Sequence, residues 1–233
     1  TDRFQTNFEN VAREYCQHLF LSYLYQQPRS ERLLFKGGTA LRIILKSPRF
    51  SEDLDFTGMG ILQREVETLF MDTLADIEKA GINVAIEEGK NTTGGYLGIA
   101  SFSLYGYTIE IYIEVSLRSG KKIVGTKAWL ENDYIPAYTL VHLPVEQIIQ
   151  GKLDALFARH KPRDFYDYFF LLSGNYPLVK EKENMTKALK LLTAMNIDMK
   201  RELKKFLPAS HMMHLRDFKK MLVQKIEMYT IKD

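Results

Sequence analysis

Residues 36–56 gather side chains that could grip a nucleoside triphosphate. Lys36-Gly37-Gly38-Thr39-Ala40-Leu41-Arg42 is followed, after a short spacer, by Arg49-Phe50-Ser51-Glu52-Asp53-Leu54-Asp55-Phe56. Asp53 and Asp55 alternate with the apolar Leu54 and Phe56, so on a strand of period 2 both carboxylates project from one face. Two carboxylates this close repel, which raises the pKa of one unless a cation lies between them. Oxygen-only donors of this kind suit Mg²⁺, which takes one or two carboxylates and completes its shell with substrate phosphates. Two such ions about 3.5–4 Å apart can activate an attacking oxygen and stabilise a leaving one. The expected chemistry is enzymatic, with Asp53 and Asp55 as metal ligands.

The elements that must hold these groups follow from the pattern. Leu33, Leu34 and Phe35 read as a short buried strand that Gly37 and Gly38 interrupt. Thr39 is expected to cap a helix whose apolar positions continue to Leu45, before Pro48 stops it. Free N–H groups at that helix start favour a phosphate, and Lys36, Arg42 and Arg49 are nearby cations. Residues 107–117 alternate as a second strand, with Ile109, Ile111, Ile113 and Val115 on one face and Glu110, Tyr112 and Glu114 on the other. Either glutamate could act as a general base or a metal ligand. Further on, Pro144 is placed to start a helix that carries Lys152 and Arg159 on a shared face. Pro162 is placed to start the next helix, with Arg163, Asp164 and Asp167 in its first turns.

With these residues in view, the first stretch resembles the glycine-spacer-Asp-x-Asp motif of DNA polymerase β-like nucleotidyltransferases. More narrowly it resembles the AbiE-type toxins, the nucleotidyltransferase halves of bacterial abortive-infection and toxin–antitoxin systems. Gly151-Lys152-Leu153-Asp154, followed by Arg163-Asp164-Phe165-Tyr166-Asp167, resembles that family's downstream block. The resemblance implies an α+β fold: a polymerase β-like lobe with a mixed sheet and a mainly helical C-terminal lobe. It implies that Lys36, Gly37, Gly38, Thr39, Arg42, Ser51 and Lys152 bind the nucleotide. Asp53, Asp55, Glu114, Lys152 and Asp164 would be the catalytic set, Asp164 holding Lys152 or Arg163 in place and Asp167 a weaker candidate for the same task. Glu114 is preferred over Glu110 because Ile-Glu-Val-Ser resembles the family's strand end. The implied reaction moves a nucleoside monophosphate from an NTP to an acceptor hydroxyl, at a tRNA or other RNA 3′ end, with Mg²⁺ as cofactor and release of pyrophosphate. The implied partner is a cognate antitoxin, and the implied setting is phage defence.

Composition bounds the rest. A chain of 233 residues that is 45% hydrophobic can bury a real core, as one large domain or two lobes, here expected as 1–138 and 139–233. No leader pattern or membrane-length apolar run is visible, and the single cysteine, Cys16, excludes an internal disulfide; a reducing cytoplasm fits. Further expected elements are helices from Phe8 to Tyr25 and Ile61 to Ala80, and strands at Ile82–Glu87 and Tyr96–Leu104. A turn is expected at Asn91–Gly95, and a connecting loop with Arg118, Lys121, Lys122 and Lys127 over 118–138. Residues 178–233 hold thirteen Lys or Arg against seven Asp or Glu. Lys200, Arg201, Lys204, Lys205, Arg216, Lys219, Lys220 and Lys225 could therefore follow a phosphate backbone. His211 and His214 are spaced for a metal pair, yet no third zinc-type ligand stands nearby in the sequence. Two rival readings fit the same residues: transfer to a protein or small molecule, and a catalytically silent protein that binds RNA or an antitoxin.

Overall fold

The computed structural model describes residues 3–120, 123–195, 198–212 and 215–230. The described residues divide into two compact units, one drawn from 7–46 and 50–144, the other from 3–6, 47–49 and 145–230.

The first unit is built on a mixed sheet of seven strands in the order β3-β4-β5-β2-β1-β7-β6. These are β1 (Leu33–Lys36), β2 (Asp53–Met59), β3 (Asn83–Thr92), β4 (Gly95–Leu104), β5 (Tyr107–Arg118), β6 (Thr126–Leu130) and β7 (Tyr138–His142). Helices α1 (Phe8–Leu24) and α3 (Gln63–Lys79) cover one face, and α2 (Gly37–Ile43) lies between β1 and β2 in the chain. The covered face carries Phe35, Leu54, Phe56, Ile111, Ile113 and Val115, all buried. Phe70 of α3 joins them to α1, its ring centroid 6.5 Å from Phe56 and 5.6 Å from Phe20. Each such side chain contributes roughly 1.5–3 kcal/mol on burial. Because successive side chains alternate, Lys36, Asp53, Asp55, Met59, Tyr112, Glu114 and Arg118 fall on the opposite face, which α1 and α3 leave uncovered.

The second unit is helical: α4 (Val145–Arg159), α5 (Pro162–Ser173), α6 (Lys182–Ala194), α7 (Met199–Leu203), α8 (Ala209–Met212) and α9 (Phe218–Thr230). Leu153, Leu156, Phe165, Tyr168, Leu192, Leu203, Phe218 and Ile226 form its core. Pro162 is the first residue of α5, where its missing N–H removes no helical bond.

Several boundaries differ from the sequence expectations. The division falls after Pro144 and not after 138, because β7 pairs with β1 and belongs to the sheet. The stretch 118–138 is not all connection: β6 lies within it and pairs antiparallel with β7. Lys121 and Lys122 lie outside the described residues. The turn over 91–95 tightens to Thr93-Gly94, with Gly94 at φ 83 closing the β3–β4 hairpin. Among the described residues no helix is long and apolar enough to cross a membrane.

Candidate functional site

Strand pairing settles which acidic residues meet. β1 runs antiparallel to β2 with Lys36 opposite Asp55, and β2 runs parallel to β5 with Asp55 opposite Glu114 and Asp53 opposite Tyr112. Lys36, Asp55 and Glu114 therefore form one row across three strands of the uncovered face. Glu110 is four residues back along β5, opposite Ser101 of β4 and about 13 Å from Glu114. Of the two glutamates, Glu114 is the one beside the aspartates. Burial presses the Lys36 ammonium below its ordinary range, with Arg118 acting in the same direction, against the opposing pull of Asp55 and Glu114. Lys36 Nζ also lies 3.3 Å from Ser116 Oγ.

The glycine turn closes on this row. Gly37 is at φ 84, and a Cβ built there would fall 1.9 Å from Asp55 Oδ2 and 2.7 Å from Asp55 Cβ. Only glycine accommodates both the left-handed backbone and the nearness of the carboxylate. Helix α2 begins at Gly37 with Lys36 as its N-cap, so Thr39 is not the cap that the sequence pattern led us to expect. Thr39 is fully buried and its hydroxyl donates to the carbonyl oxygen of Asp53 at 2.5 Å, tying α2 to the aspartate strand. Gly38 lies in the first turn of α2. Ser51 is half-buried, and its carbonyl oxygen accepts from Gln17 Nε2 at 3.0 Å.

Arg42, expected at the nucleotide, makes close contacts within the first unit. Its guanidinium donates to Glu14 at 2.6 and 3.1 Å and lies 3.9 Å from the centroid of the Phe50 ring. Glu14 also accepts from the Tyr134 hydroxyl at 2.7 Å. Nearby His18 Nδ1 lies 2.8 Å from the Tyr138 hydroxyl, and burial holds the imidazole down to a pKa of about 4. This buried polar cluster secures α1 to α2 and to residues 134–138, and sequence reasoning missed it because its members are distant in the chain.

The second unit sorts the downstream motif. Lys152 Nζ lies 2.9 Å from Asp167 Oδ2, and Arg49 donates to both oxygens of the same carboxylate at 2.8 and 2.9 Å. Burial would raise the Asp167 carboxyl, but Arg49 and Lys152 reverse the effect and bring it down to about 2. Asp164 does not hold Lys152 or Arg163. It accepts from Arg159 at 2.6 to 3.1 Å and from the backbone N–H of Lys161 at 3.0 Å. Asp167, the weaker sequence candidate, is thus the residue that fixes Lys152, and Arg49 is its second partner. Arg163 Nε instead faces Glu202 at 3.8 Å. His211 Nδ1 lies 3.1 Å from the Tyr166 hydroxyl, while His214 is outside the described residues. Lys219 Nζ caps the end of α6 through the carbonyl of Met195 at 3.0 Å.

Among the described residues no three His, Cys, Asp or Glu groups form a ready-made metal cage. A pair of strand carboxylates is the donor set on which Mg²⁺ binds jointly with phosphates, and Asp53 and Asp55, half-buried on one face of β2, fit it.

A mixed sheet with a glycine turn packed against an Asp-x-Asp strand, joined to a helical unit, is the architecture of nucleotidyltransferases. The profile of the nucleotidyl transferase AbiEii toxin family, type IV toxin–antitoxin system, matches residues 19–227, and the chain belongs to that family. It is a transferase-type toxin of a toxin–antitoxin system. Similar folds occur in a nucleotidyltransferase candidate from H. pylori (TM-score 0.66, 18% identity, covering 97% of this chain and 96% of that one). The Helicobacter pylori protein JHP933 is similar as well (TM-score 0.65, 19% identity, covering 97% and 94%). No curated protein sequence matches the chain significantly.

Proposed function

We propose that this toxin transfers a nucleoside monophosphate from an NTP to the terminal hydroxyl of an RNA, with tRNA as the first candidate, and releases pyrophosphate. The observation that carries this reading is the row Lys36–Asp55–Glu114 with Gly37 packed against Asp55. Asp53 and Asp55 would hold Mg²⁺, which when bound would supply charge stabilisation to the transferring phosphoryl group. In this reading the backbone N–H groups of the Gly37-Gly38 turn, which packs directly against the Asp55 carboxylate, meet the phosphate oxygens. The acceptor oxygen forms a bond to the α-phosphorus as the bond to the α,β-bridging oxygen breaks, and Glu114 takes the hydroxyl proton. Lys152, fixed by Asp167, is in this reading the phosphate cation that the family motif implies. A cognate antitoxin is the expected partner.

The test incubates the protein with Mg²⁺, each labelled NTP in turn and total tRNA, alongside Asp55→Ala. We expect label in RNA with the intact protein only. Label in a protein, or equal transfer by Asp55→Ala, would sink the proposal.

A further inference from the structure

The uncovered sheet face continues past the acidic row. Four residues along β2 and β5 from Asp55 and Glu114 stand Met59 and Arg118, opposite each other. Beyond them a cavity of about 670 Å³ opens, with Leu34 and Val141 among its apolar lining and Arg32, Arg118 and Lys127 as its cations. Glu31 is the only carboxylate lining it among the described residues. Gly125 lies over its apolar side: a Cβ there would come 2.4 Å from Val141 Cγ1 and 2.6 Å from Leu34 Cδ2. Arg118 and Lys127 are exposed, while Arg32 donates to the carbonyl of Gly60 at 2.9 Å. Lys127 pairs with Val141 and Trp129 with Thr139, so the Lys127 and Trp129 side chains share this face of the edge strand β6. Trp129 is the chain's one tryptophan and is 66% exposed.

A large, rigid aromatic left in solvent two residues along β6 from Lys127, at the side of a cavity whose cations are Arg32, Arg118 and Lys127, is the combination that binds single-stranded nucleic acid: bases stack on the ring and phosphates lie along the basic groove. The geometry points to this strip as the track for the single-stranded 3′ segment of the acceptor RNA, with phosphates at Arg118, Lys127 and Arg32 and a base on Trp129. The inference rests on the function proposed above. Four strand residues span about 13 Å. At ~3.4 Å per stacked nucleotide, a terminal hydroxyl beside Glu114 leaves about four nucleotides to reach the cavity. A mononucleotide cannot bridge that length, and duplex RNA hides its base faces from Trp129. The favoured ligand is therefore an unpaired overhang.

Trp129 provides the readout. A six-nucleotide single-stranded RNA, added without NTP, should quench tryptophan emission saturably, whereas ATP alone or a blunt RNA duplex should not. Three phosphate contacts on a single strand predict a slope near −2 for log K against log salt, falling to about −0.7 in Arg118→Glu/Lys127→Glu. In that variant, and separately in Trp129→Ala followed by anisotropy of a labelled RNA, affinity should fall about tenfold or more, with thermal melts confirming the fold. Unchanged affinity in both variants overturns the inference, as does quenching by ATP or duplex equal to that by the single strand. Binding is read without turnover, so the two proposals fail separately. RNA binding without transfer would refute the proposed function and leave the track standing. Transfer with an unaltered RNA KM in the charge-reversed variant would refute the track and leave the function standing.

Discussion

Gly37→Ala tests whether the glycine turn exists to admit the Asp55 carboxylate. Two costs are expected. An L-residue at φ 84 costs about 1–2 kcal/mol. The added methyl would also meet Asp55 Oδ2 at 1.9 Å, Cγ at 2.6 Å and Cβ at 2.7 Å. Rotation about χ1 of Asp55 can clear the oxygen and Cγ, but Cβ moves only with the backbone of β2, so relief requires a shift of the strand. Overpacking of this kind costs roughly 1–3 kcal/mol, giving a total of about 2–5 kcal/mol in urea denaturation. Asp55→Gly removes the clashing atoms, so the double variant Gly37→Ala/Asp55→Gly should recover the steric part. The double-mutant cycle should then show about 1–3 kcal/mol of coupling. Transfer activity should fall about a hundredfold in Gly37→Ala alone, as expected for displacing a reacting group by about 1 Å. Additive stabilities, with coupling below about 0.5 kcal/mol, would refute the reasoning. The glycine would then serve only its backbone angle.

Three further outcomes follow from the same geometry. Asp167→Asn removes the carboxylate that the buried Arg49 and Lys152 share and should cost about 3–5 kcal/mol by chemical denaturation; a loss below about 1 kcal/mol would show that the pairing with Asp167 is not what holds them. His18 titrates at about 4 when folded against an unfolded value near 6.5, so its contribution is complete above 6.5 and is lost as pH falls from 6.5 through 4. That amounts to on the order of 3 kcal/mol, and His18→Gln should flatten this part of the pH-stability profile measured in urea. Glu114→Gln should depress transfer strongly while Glu110→Gln leaves it near wild type, because only Glu114 stands opposite Asp55; equal losses in a labelled-NTP assay would contradict that distinction.

The legible parts of this protein were local. Alternation over 53–56 placed both aspartates on one face, and alternation over 107–117 placed both glutamates together, because strand period is a property of the sequence itself. Which glutamate meets the aspartates depends on the parallel register of β2 and β5, strands separated by a helix and two other strands, and no local pattern encodes that offset. The assignment of Asp164 failed for a similar reason. Asp164 and Asp167 are three apart on α5 and both look inward, but α4 offers two cations at different depths. Arg159 reaches Asp164 near the helix junction, and Lys152 reaches Asp167 a turn deeper. Thr39 has the residue type of a cap, yet the left-handed Gly37 lets the helix begin three residues earlier. Strand β6 was hidden because five residues on a sheet edge, with Lys127 and Trp129 facing solvent, carry little apolar alternation.

In the second unit one buried carboxylate, Asp167, serves two cations. Arg49 and Lys152 both face Asp167, and Arg159 faces Asp164. A charge held away from water is costly unless it is paired, so the partners of the buried cations matter most. Arg159 is 43% exposed, whereas Arg49 and Lys152 are 4% and 9% exposed and share the Asp167 carboxylate. Arg49 takes both oxygens of Asp167 in a planar fork, which leaves the ammonium of Lys152 with one contact to a carboxylate already engaged. Of the two, Lys152 is the point charge with donors to spare, and a phosphate oxygen is the acceptor that would use them. On this reasoning Asp167 positions Lys152 and Arg49 serves as its anchor. That division of labour explains why one carboxylate in this unit carries two cations.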